Sequence, residues 1–409
     1  MNNATRFFLT EFAIDWCQSY WFRASRNYSC QKRTHRALKI ISIFIMFLIL
    51  LSSCSAVATR SYTQSSPILT PTPPQPSFSR ISKENAVNLS LIQEWQLKYV
   101  NAIDWAMDSI AFTVAGGNSD KNNDPDMYTY NISKSEVIWS SKALGGGRLT
   151  YHPNNQVIAV PYFEGISFFD AITGQKVRQI DHNSIKEKQC IGLYGIEFTP
   201  DGSKIITLDT QGDYGGTTSI YIWDATTDQC LGTLVEEVGI TFDFELSRDG
   251  HFLVLGLAGA LSEIPGVLEP QVRVWNIVTQ QLICRFKGAR PVAFSLNGSL
   301  IAAANVDNNG EVDLWDAKSC QLLETLHREE EENPYSMDFS PDGQLLAIGG
   351  ENTFQIWAVA NRTLLFESNE LKDHVDILAF SPDGRFLLSK TDRSSIDDKA
   401  TITLWGVRQ

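Results

Sequence analysis

The feature that most constrains this chain is an internal repeat, marked by an aromatic residue and then a small or acidic one at the end of a β-rich run. The pair occurs seven times, at Tyr130-Asn131, Phe169-Asp170, Trp223-Asp224, Trp275-Asn276, Trp315-Asp316, Trp357-Ala358 and Trp405-Gly406. Successive copies lie 39 to 54 residues apart. A period of about 40–45 residues with occasional insertions is typical of units that bury their apolar faces against one another. The sequence therefore predicts seven similar units of β-structure.

A second repeated element, a five-residue turn, lies inside the period. Its near-identical copies are Phe339-Ser340-Pro341-Asp342-Gly343 and Phe380-Ser381-Pro382-Asp383-Gly384, and weaker copies begin at Tyr151, Phe198, Leu246 and Phe294. Ser, Pro and Gly at the first, second and fourth positions are what a type I turn favours. Strand-like runs such as residues 345–348 and 354–357 flank the turn. Each unit is therefore predicted to be a strand, a tight turn, a strand, a loop, a third strand with the aromatic, a turn and an outer strand.

The combination of these repeats resembles the WD-repeat proteins of bacteria over roughly residues 83–409. The resemblance implies an all-β fold, a seven-bladed β-propeller of WD-repeat type. The chain departs from the family pattern, because only Asp373-His374 comes close to the Gly-His opening of a repeat. The acid expected six positions before the tryptophan is Asn309 in the fifth unit, Glu351 in the sixth and displaced to Asp398 in the last. We therefore expect the blades to pack through aromatic side chains, which bury about 150–250 Å² each, more than through the family's buried His–Ser–Trp–Asp network.

The ring of blades also has to close. The last repeat stops at Gln409, soon after Trp405, without room for its outer strand. Residues 88–96, which include Leu89, Leu91, Ile92 and Trp95, precede the first inner strand and have the pattern of that missing strand. Pairing this segment with the last blade would remove an exposed sheet edge.

The N-terminal segments predict export and anchoring. Residues 1–39 are basic, and residues 40–51 are apolar except for Ser42. A span needs about 20 apolar residues, whereas a basic flank and a short apolar run describe a signal peptide. Leu51-Ser52-Ser53-Cys54 resembles the bacterial lipoprotein cleavage motif, which implies lipidation of Cys54 and makes residues 40–54 the signal segment. The alternative is an uncleaved membrane anchor with an incidental cysteine, and both interpretations place the body outside the cytoplasm, in the cell envelope.

Residues 55–82 are rich in Ser, Thr and Pro and are predicted to form a flexible linker. Residues 83–409 form the propeller in this interpretation. The formal net charge of the chain is −13, although residues 1–53 are basic. An acidic body argues against a nucleic-acid partner, because phosphate binding needs a basic face.

The cysteines beyond the signal segment are Cys190, Cys230, Cys284 and Cys320. Their spacing indicates neither a zinc site nor a disulfide framework. We interpret each as a buried free thiol. No metal site and no cofactor is predicted.

All the long insertions are expected on one face of the propeller, because alternate connections in an antiparallel blade emerge on opposite faces. We call it the loop-rich face; its connections are residues 116–126, 181–190, 210–218, 257–271, 329–334 and 392–399. Long loops on a rigid scaffold often carry function. The candidate partner-binding residues are Phe163, Tyr214, Ile264, Leu268, Glu329, Glu330, Glu331, Glu332 and Tyr335. The alternatives are that the acidic run is only a solvated loop and that the apolar residues fold back over the ring.

Function is predicted to be binding, since the chain contains no Gly-x-Ser-x-Gly elbow, no His-Glu-x-x-His and no phosphate-binding glycine loop. The leading hypothesis is a monomeric, membrane-anchored scaffold for a protein or peptide partner. The alternative is a glycan hydrolase or lyase that uses carboxylates in the central channel. A cluster of channel acids with raised pKa values would favour the enzyme. A sensor or assembly subunit of an envelope machine is a third possibility.

Overall fold

The described residues form seven antiparallel β-sheets. A computed structural model describes residues 77–98, 100–116, 126–143, 147–162, 165–181, 194–211, 217–238, 241, 243–257, 270–295, 297–328, 334–368, 371–391 and 399–409. All of them lie within one compact unit, Pro74–Gln409. Two strands, β1 (Phe78–Ser79) and β2 (Ser90–Leu97), come first, with a short 3-10 helix, Ala86–Asn88, between them.

The blades follow in chain order, each with four antiparallel strands from the axis outward, and the sheet of blade seven has β1 as a fifth strand. Blade one contains β3 (Ala102–Trp105), β4 (Ala111–Ala115), β5 (Met127–Asn131) and β6 (Glu136–Ser141). Blade two contains β7 (Thr150–Tyr151), β8 (Val157–Tyr162), β9 (Gly165–Asp170) and β10 (Lys176–Asp181). Blade three contains β11 (Gly195–Phe198), β12 (Lys204–Gln211), β13 (Thr217–Asp224) and β14 (Cys230–Val238). Blade four contains β15 (Phe244–Leu246), β16 (Phe252–Leu257), β17 (Gln271–Asn276) and β18 (Gln281–Lys287).

The remaining blades repeat this plan. Blade five contains β19 (Ala289–Phe294), β20 (Leu300–Ala304), β21 (Val312–Asp316) and β22 (Leu322–Leu326). Blade six contains β23 (Ser336–Phe339), β24 (Leu345–Gly349), β25 (Phe354–Ala358) and β26 (Thr363–Ser368). Blade seven contains β27 (Val375–Phe380), β28 (Phe386–Thr391) and β29 (Ala400–Arg408), and its outer strand is supplied by β2.

The seven blades form a closed ring. Their inner strands contact one another in the order β3, β7, β11, β15, β19, β23 and β27, and β27 contacts β3. Strands β24 and β25 are buried throughout, because neighbouring blades cover both faces of a blade. Outer strands such as β18 expose most of their residues to solvent. The predicted seven-bladed propeller is therefore confirmed.

The tight turns between the first and second strands have the chemistry that the sequence predicts. In blade six, Ser340 Oγ donates a hydrogen bond to Asp342 Oδ1 at 2.7 Å and accepts one from the N–H of Leu345 at 3.0 Å. Gly343 has φ of +68°, a left-handed conformation that costs glycine little. The same hydroxyl-to-acid or hydroxyl-to-amide bond recurs in other blades at Thr199, Ser247, Ser295 and Ser381.

The ring closes as predicted, with one correction. Strand β2 pairs with β29 from Ser90 opposite Gly406 to Leu97 opposite Ala400. Strand β1 also pairs with β29, although residues 78–82 were assigned to the linker. The side chain of Ile81 is buried in the core of this blade. The linker therefore ends before residue 78 and not at residue 82. A two-residue strand and one buried apolar residue give too weak a pattern to be recognised within a Ser/Pro-rich stretch.

Two blades contain the tryptophan-to-hydroxyl bond that the WD-repeat resemblance implies. Trp223 Nε1 donates to Thr207 Oγ1 at 2.9 Å, and Trp405 Nε1 donates to Ser389 Oγ at 2.8 Å. Within the described residues, Trp315 Nε1 has no hydrogen-bond partner. Blades three and seven therefore retain a tryptophan-to-hydroxyl bond, whereas blade five relies on packing.

The interpretation of the cysteines as free thiols is wrong for three of them. Cys284 in β18 and Cys320, just before β22, form a disulfide across blades four and five, with Cα atoms 6.2 Å apart. Cys230 is also disulfide-bonded. Cys190 lies outside the described residues. The sequence did not predict the disulfide between Cys284 and Cys320, because the packing of neighbouring blades, and not the spacing along the chain, brings the two sulfur atoms together.

Candidate functional site

The inner strands surround a central channel with a cavity volume of about 1440 Å³. On the loop-rich face its lining includes Asn101, Pro270, Asn309 and Tyr335. On the opposite face, which carries the tight turns and the turns between third and fourth strands and which we call the tight-turn face, its lining includes Met107, Pro153, Pro200, Arg248, Pro341 and Pro382. The channel lining therefore extends to both faces and could accept an extended segment or a side chain.

Four acids occupy the same register of the inner strands, immediately before the aromatic or leucine residue that precedes the tight turn. Each accepts a hydrogen bond from a backbone N–H of the next blade. The bonds join Asp104 Oδ2 to Tyr151 N (2.8 Å), Glu197 Oε2 to Leu246 N (2.9 Å), Glu245 Oε2 to Phe294 N (3.0 Å) and Asp338 Oδ2 to Phe380 N (2.6 Å). These carboxylates bridge adjacent blades, because an unpaired inner-strand N–H would otherwise be buried without a partner.

Arg148 and Asp243 form a second group of charges in the channel. Arg148 Nη1 lies 3.6 Å from Asp243 Oδ1 and 3.9 Å from Glu197 Oε1. It also donates to the carbonyl of Phe244 at 2.6 Å. Asp243 Oδ2 in turn accepts from the N–H of Val292 at 2.7 Å. The guanidinium thus links the chain before β7 to blades three and four.

The channel acids have raised pKa values, and burial is the main cause. Burial raises the pKa of Asp104 to about 6 and those of Glu197 and Asp338 to about 7. It also raises the pKa of Glu245, which the neighbouring carboxylates of Asp338 and Glu197 raise further. These side chains keep partial access to solvent through the channel.

This cluster is the feature that the sequence analysis named as favouring an enzyme. Two observations qualify it. The four acids in register each bind a backbone N–H of the next blade, and Asp104 Oδ1 accepts a further bond from the N–H of Trp105 at 2.8 Å. Within the described residues, no group of three or more His, Cys, Asp or Glu side chains could hold a metal ion. The cluster can bind or transfer a proton, and it also holds the ring together.

Of the predicted binding residues, Tyr335 is described. It lines the channel at the loop-rich mouth, is 39% exposed, and its ring lies 4.4 Å from that of His374. The others lie outside the described residues: Cys54, Phe163, Tyr214, Ile264, Leu268, Glu329, Glu330, Glu331 and Glu332. Their roles stay predictions.

The sequence analysis missed Tyr194, Arg148 and the acids in register. Tyr194 is 43% exposed just before β11, on the loop-rich face. An alignment of the seven repeats with one another would have shown that, in four of them, an acid precedes the last large apolar residue of the inner strand. Arg148 has no such signal, because its partners come from two other blades.

Comparison with known proteins agrees with the fold. A family model described as WD domain, G-beta repeat, matches residues 320–358. The chain is 28% identical to Pre-mRNA-processing factor 19 of Oryza sativa subsp. japonica over 34% of this chain and 25% of that protein. It is 24% identical to Apoptotic protease-activating factor 1 of Homo sapiens over 59% of this chain and 19% of that protein. It is 32% identical to Periodic tryptophan protein 2 homolog of Schizosaccharomyces pombe over 29% of this chain and 13% of that protein. The matches thus span a quarter or less of these relatives.

Proposed function

We propose that this propeller with a WD repeat is a membrane-anchored, extracytoplasmic scaffold that binds a protein or peptide partner through its loop-rich face. The observation that carries the binding proposal is the pair of exposed aromatic residues on that face, Tyr194 and Tyr335. Tyrosine presents a rigid apolar ring with a polar tip, and it is enriched in protein interfaces. Tyr335 also stands at the channel mouth, where it can contact a segment that enters the channel.

The channel chemistry is compatible with a scaffold. Its acids in register accept hydrogen bonds that join neighbouring blades, as Glu197 does from the N–H of Leu246. A rigid ring keeps the loop-rich face in one geometry, which lowers the entropy that a partner must lose on binding. The relatives are named as a pre-mRNA-processing factor and a protease-activating factor. Such different names favour a binding platform over one shared reaction.

The proposed location rests on two separate features. Residues 40–54 have the pattern of a lipoprotein signal segment that ends in Cys54. The disulfide between Cys284 and Cys320 supports an oxidising compartment, since cytosolic thiols are kept reduced. Within the described residues, no helix is both long and apolar enough to cross a membrane. The proposed anchor is an acylated Cys54 in the N-terminal segment.

The binding proposal is tested by affinity purification of the full-length protein from detergent-solubilised membranes of its own cells. Tyr194→Ala/Tyr335→Ala, and a second variant lacking residues 264–268 and 329–332, should lose a partner that the parent retains. The matched control, Lys134→Ala/Lys318→Ala, changes two exposed residues on the tight-turn face and should retain it. A partner list that is empty, or equal for all variants, would refute binding through the loop-rich face.

The anchor is tested on the same preparation. Intact-mass analysis should show acyl chains on a mature protein that begins at Cys54, and Cys54→Ser should release the protein from the membrane fraction. A Cys54→Ser protein that remains in the membrane would support the uncleaved anchor instead.

A channel enzyme remains the second candidate, and the raised pKa values of Glu197 and Asp338 favour it. Glu197→Gln and Asp338→Asn keep a hydrogen-bond acceptor for the next blade but cannot act as acids. If the parent cleaves any member of a panel of extracellular glycans, both variants should lose that turnover while their melting temperatures stay close to the parent's.

A further inference from the structure

The chain enters the propeller on the tight-turn face. Ser77 accepts a hydrogen bond from the N–H of Gln409 at 3.0 Å, and Phe78 pairs with Arg408, where β29 reaches that face. The N–H of Ile81 then donates to the carbonyl of Gly384, in the tight turn of blade seven, at 2.9 Å. Any tether from the N-terminal segment is therefore attached to this face, next to blade seven.

Many of the exposed apolar side chains among the described residues lie on the same side. Among the described residues, every large hydrophobic side chain that is exposed lies on the tight-turn face or at the adjoining start of an outer strand, except Tyr194 and Tyr335. Those on the tight-turn side are Val87, Leu91, Met107, Ile110, Val137, Ile138, Ile172, Val177, Leu231, Val278, Leu282, Ile283, Leu322, Leu323 and Leu364.

Several of them stand at turn tips near the point where the chain enters, and Val278, in blade four, is 62% exposed on the same face farther around the ring. Val87 is 68% exposed beside blade seven, and Ile172 is 76% exposed in blade two. Met107 and Ile110, in the tight turn of blade one between them, are 40% and 48% exposed. Blades seven, one and two are consecutive in the ring, and blade seven receives the tether. We call Val87, Met107, Ile110 and Ile172 the apolar sector.

We propose that the apolar sector rests on the lipid surface, so that the tight-turn face is directed toward the membrane and the loop-rich face away from it. This inference rests on the anchor proposed above. The 23 residues from Cys54 to Ser77 would span at most about 70 Å as an extended polyproline-like chain. An acylated Cys54 would therefore hold the point of entry, on the tight-turn face, within that distance of the bilayer.

The charges beside the sector are largely paired. Arg80 Nη1 lies 4.0 Å from Asp342 Oδ2, and Lys83 Nζ lies 3.7 Å from Glu84 Oε1. The contact would thus depend on insertion of apolar tips between head groups and not on attraction to anionic lipids. It should occur on a zwitterionic bilayer.

The test uses full-length acylated protein in phosphatidylcholine vesicles that contain a nitroxide-headgroup lipid as quencher. A fluorescent amino acid replaces Ile172 on the tight-turn face or, as the matched position, Tyr194 on the loop-rich face. We expect quenching at position 172 to exceed that at position 194 by roughly threefold or more, because only apolar tips enter the headgroup layer. Val87→Ser/Met107→Ser/Ile110→Ser should abolish the difference. Leu231→Ser/Leu323→Ser, at the outer edges of blades three and five, should leave it unchanged.

Co-flotation with the vesicles separates the possible failures. Protein that floats but is quenched equally at both positions, or more at position 194, would overturn the orientation and leave the anchor intact. Protein that does not float would overturn both proposals. Unequal quenching that survives the triple serine variant would show that the tether, and not the apolar sector, orients the ring. Protection of position 172 in native membranes but not in lipid vesicles would assign the sector to a protein partner instead.

Discussion

The Oε2 atom of Glu197 in blade three accepts a hydrogen bond from the N–H of Leu246 in blade four at 2.9 Å. The two residues are far apart in the sequence and meet only because the blades are neighbours in the ring. Equivalent bonds join three other pairs of blades. Between blades seven and one the link is different, since Trp105 Nε1 donates to the carbonyl of Ala379 at 3.0 Å. The channel wall is therefore a chain of contacts between blades.

Removal of one carboxylate should weaken this wall. Glu197→Ala leaves the N–H of Leu246 without its partner and should lower the free energy of unfolding by about 1–3 kcal/mol. Glu197→Gln keeps an acceptor and removes a charge that burial disfavours, so it should be as stable as the parent, or more stable, at pH 8. Urea unfolding measures both values. Thr150→Ala is the position-matched control in blade two, and it should lower the free energy of unfolding by less than Glu197→Ala does. Equal losses for the alanine and glutamine variants would contradict the bridging role.

The propeller should become more stable as the pH falls from 8 to about 5. The folded-state pKa values of Asp104, Glu197 and Asp338 are raised to about 6, 7 and 7, from ordinary values of 3.8, 4.5 and 3.8. For an acid raised in this way, the stabilisation is present at low pH and is lost as the pH rises through the folded-state pKa. Differential scanning calorimetry should therefore give a higher Tm at pH 5.5 than at pH 8.

Further acidification should reverse the gain. Hydrogen bonds from Thr199 and Ser203 lower the pKa of Asp201 to about 2, and those in the turn of blade three lower the pKa of Asp224. Their stabilisation is present above the unfolded pKa and is lost as the pH falls through the folded one. A Tm that decreases steadily from pH 8 to 5.5 would contradict the assignment of raised channel pKa values.

The disulfide between blades four and five should contribute measurably to stability. Cys284 and Cys320 are separated by 36 residues, and closing a loop of this length typically stabilises a protein by about 2–4 kcal/mol. Cys284→Ser/Cys320→Ser should therefore unfold at a lower urea concentration than the parent. The parent treated with a reductant should approach the variant, and the variant should respond less to the same reductant. A parent and double variant that unfold together under oxidising conditions would exclude a stabilising bond.

Ring closure by β2 predicts a sharp dependence on the N-terminal boundary. A chain that begins at residue 77 retains β1 and β2 and should unfold cooperatively, close to the full-length protein. A chain that begins at residue 98 loses the buried Trp95 and exposes the edge of β29, so it should aggregate or lack a cooperative transition. Circular dichroism during thermal unfolding distinguishes the two. A cooperative transition in the shorter chain would contradict closure by β2.

The repeat, the turns and the closing strand could be predicted because each depends on residues that are close together in the sequence. Gly343 and Gly384 adopt the left-handed conformation that their turns require, at +68° and +72°. The pattern of Leu89, Leu91, Ile92 and Trp95 was sufficient to identify an outer strand. The boundary at residue 82 failed because β1 has two residues and carries no periodic pattern.

The candidate site was only partly predictable. Tyr335 was named from its place beside an acidic loop and does line the channel mouth. The carboxylate bridges of the channel were not found, although a raised-pKa cluster was named as the feature that would favour an enzyme. The sequence pattern of one repeat does not show which carboxylate oxygen binds which N–H of another blade. Only the structure therefore showed that Glu197 both has a raised pKa and joins two blades.

The sequence by itself determined the number of blades, the tight turns and the need for an N-terminal strand to complete the last sheet. Its apolar periodicity and turn residues act over a few positions and specify each blade separately. Tertiary structure decided which groups meet between blades: Glu197 with Leu246, Cys284 with Cys320, and the arrival of Phe78 beside Arg408 on the tight-turn face. These contacts follow from closing a ring, because closure brings distant residues together at distances that no local pattern encodes.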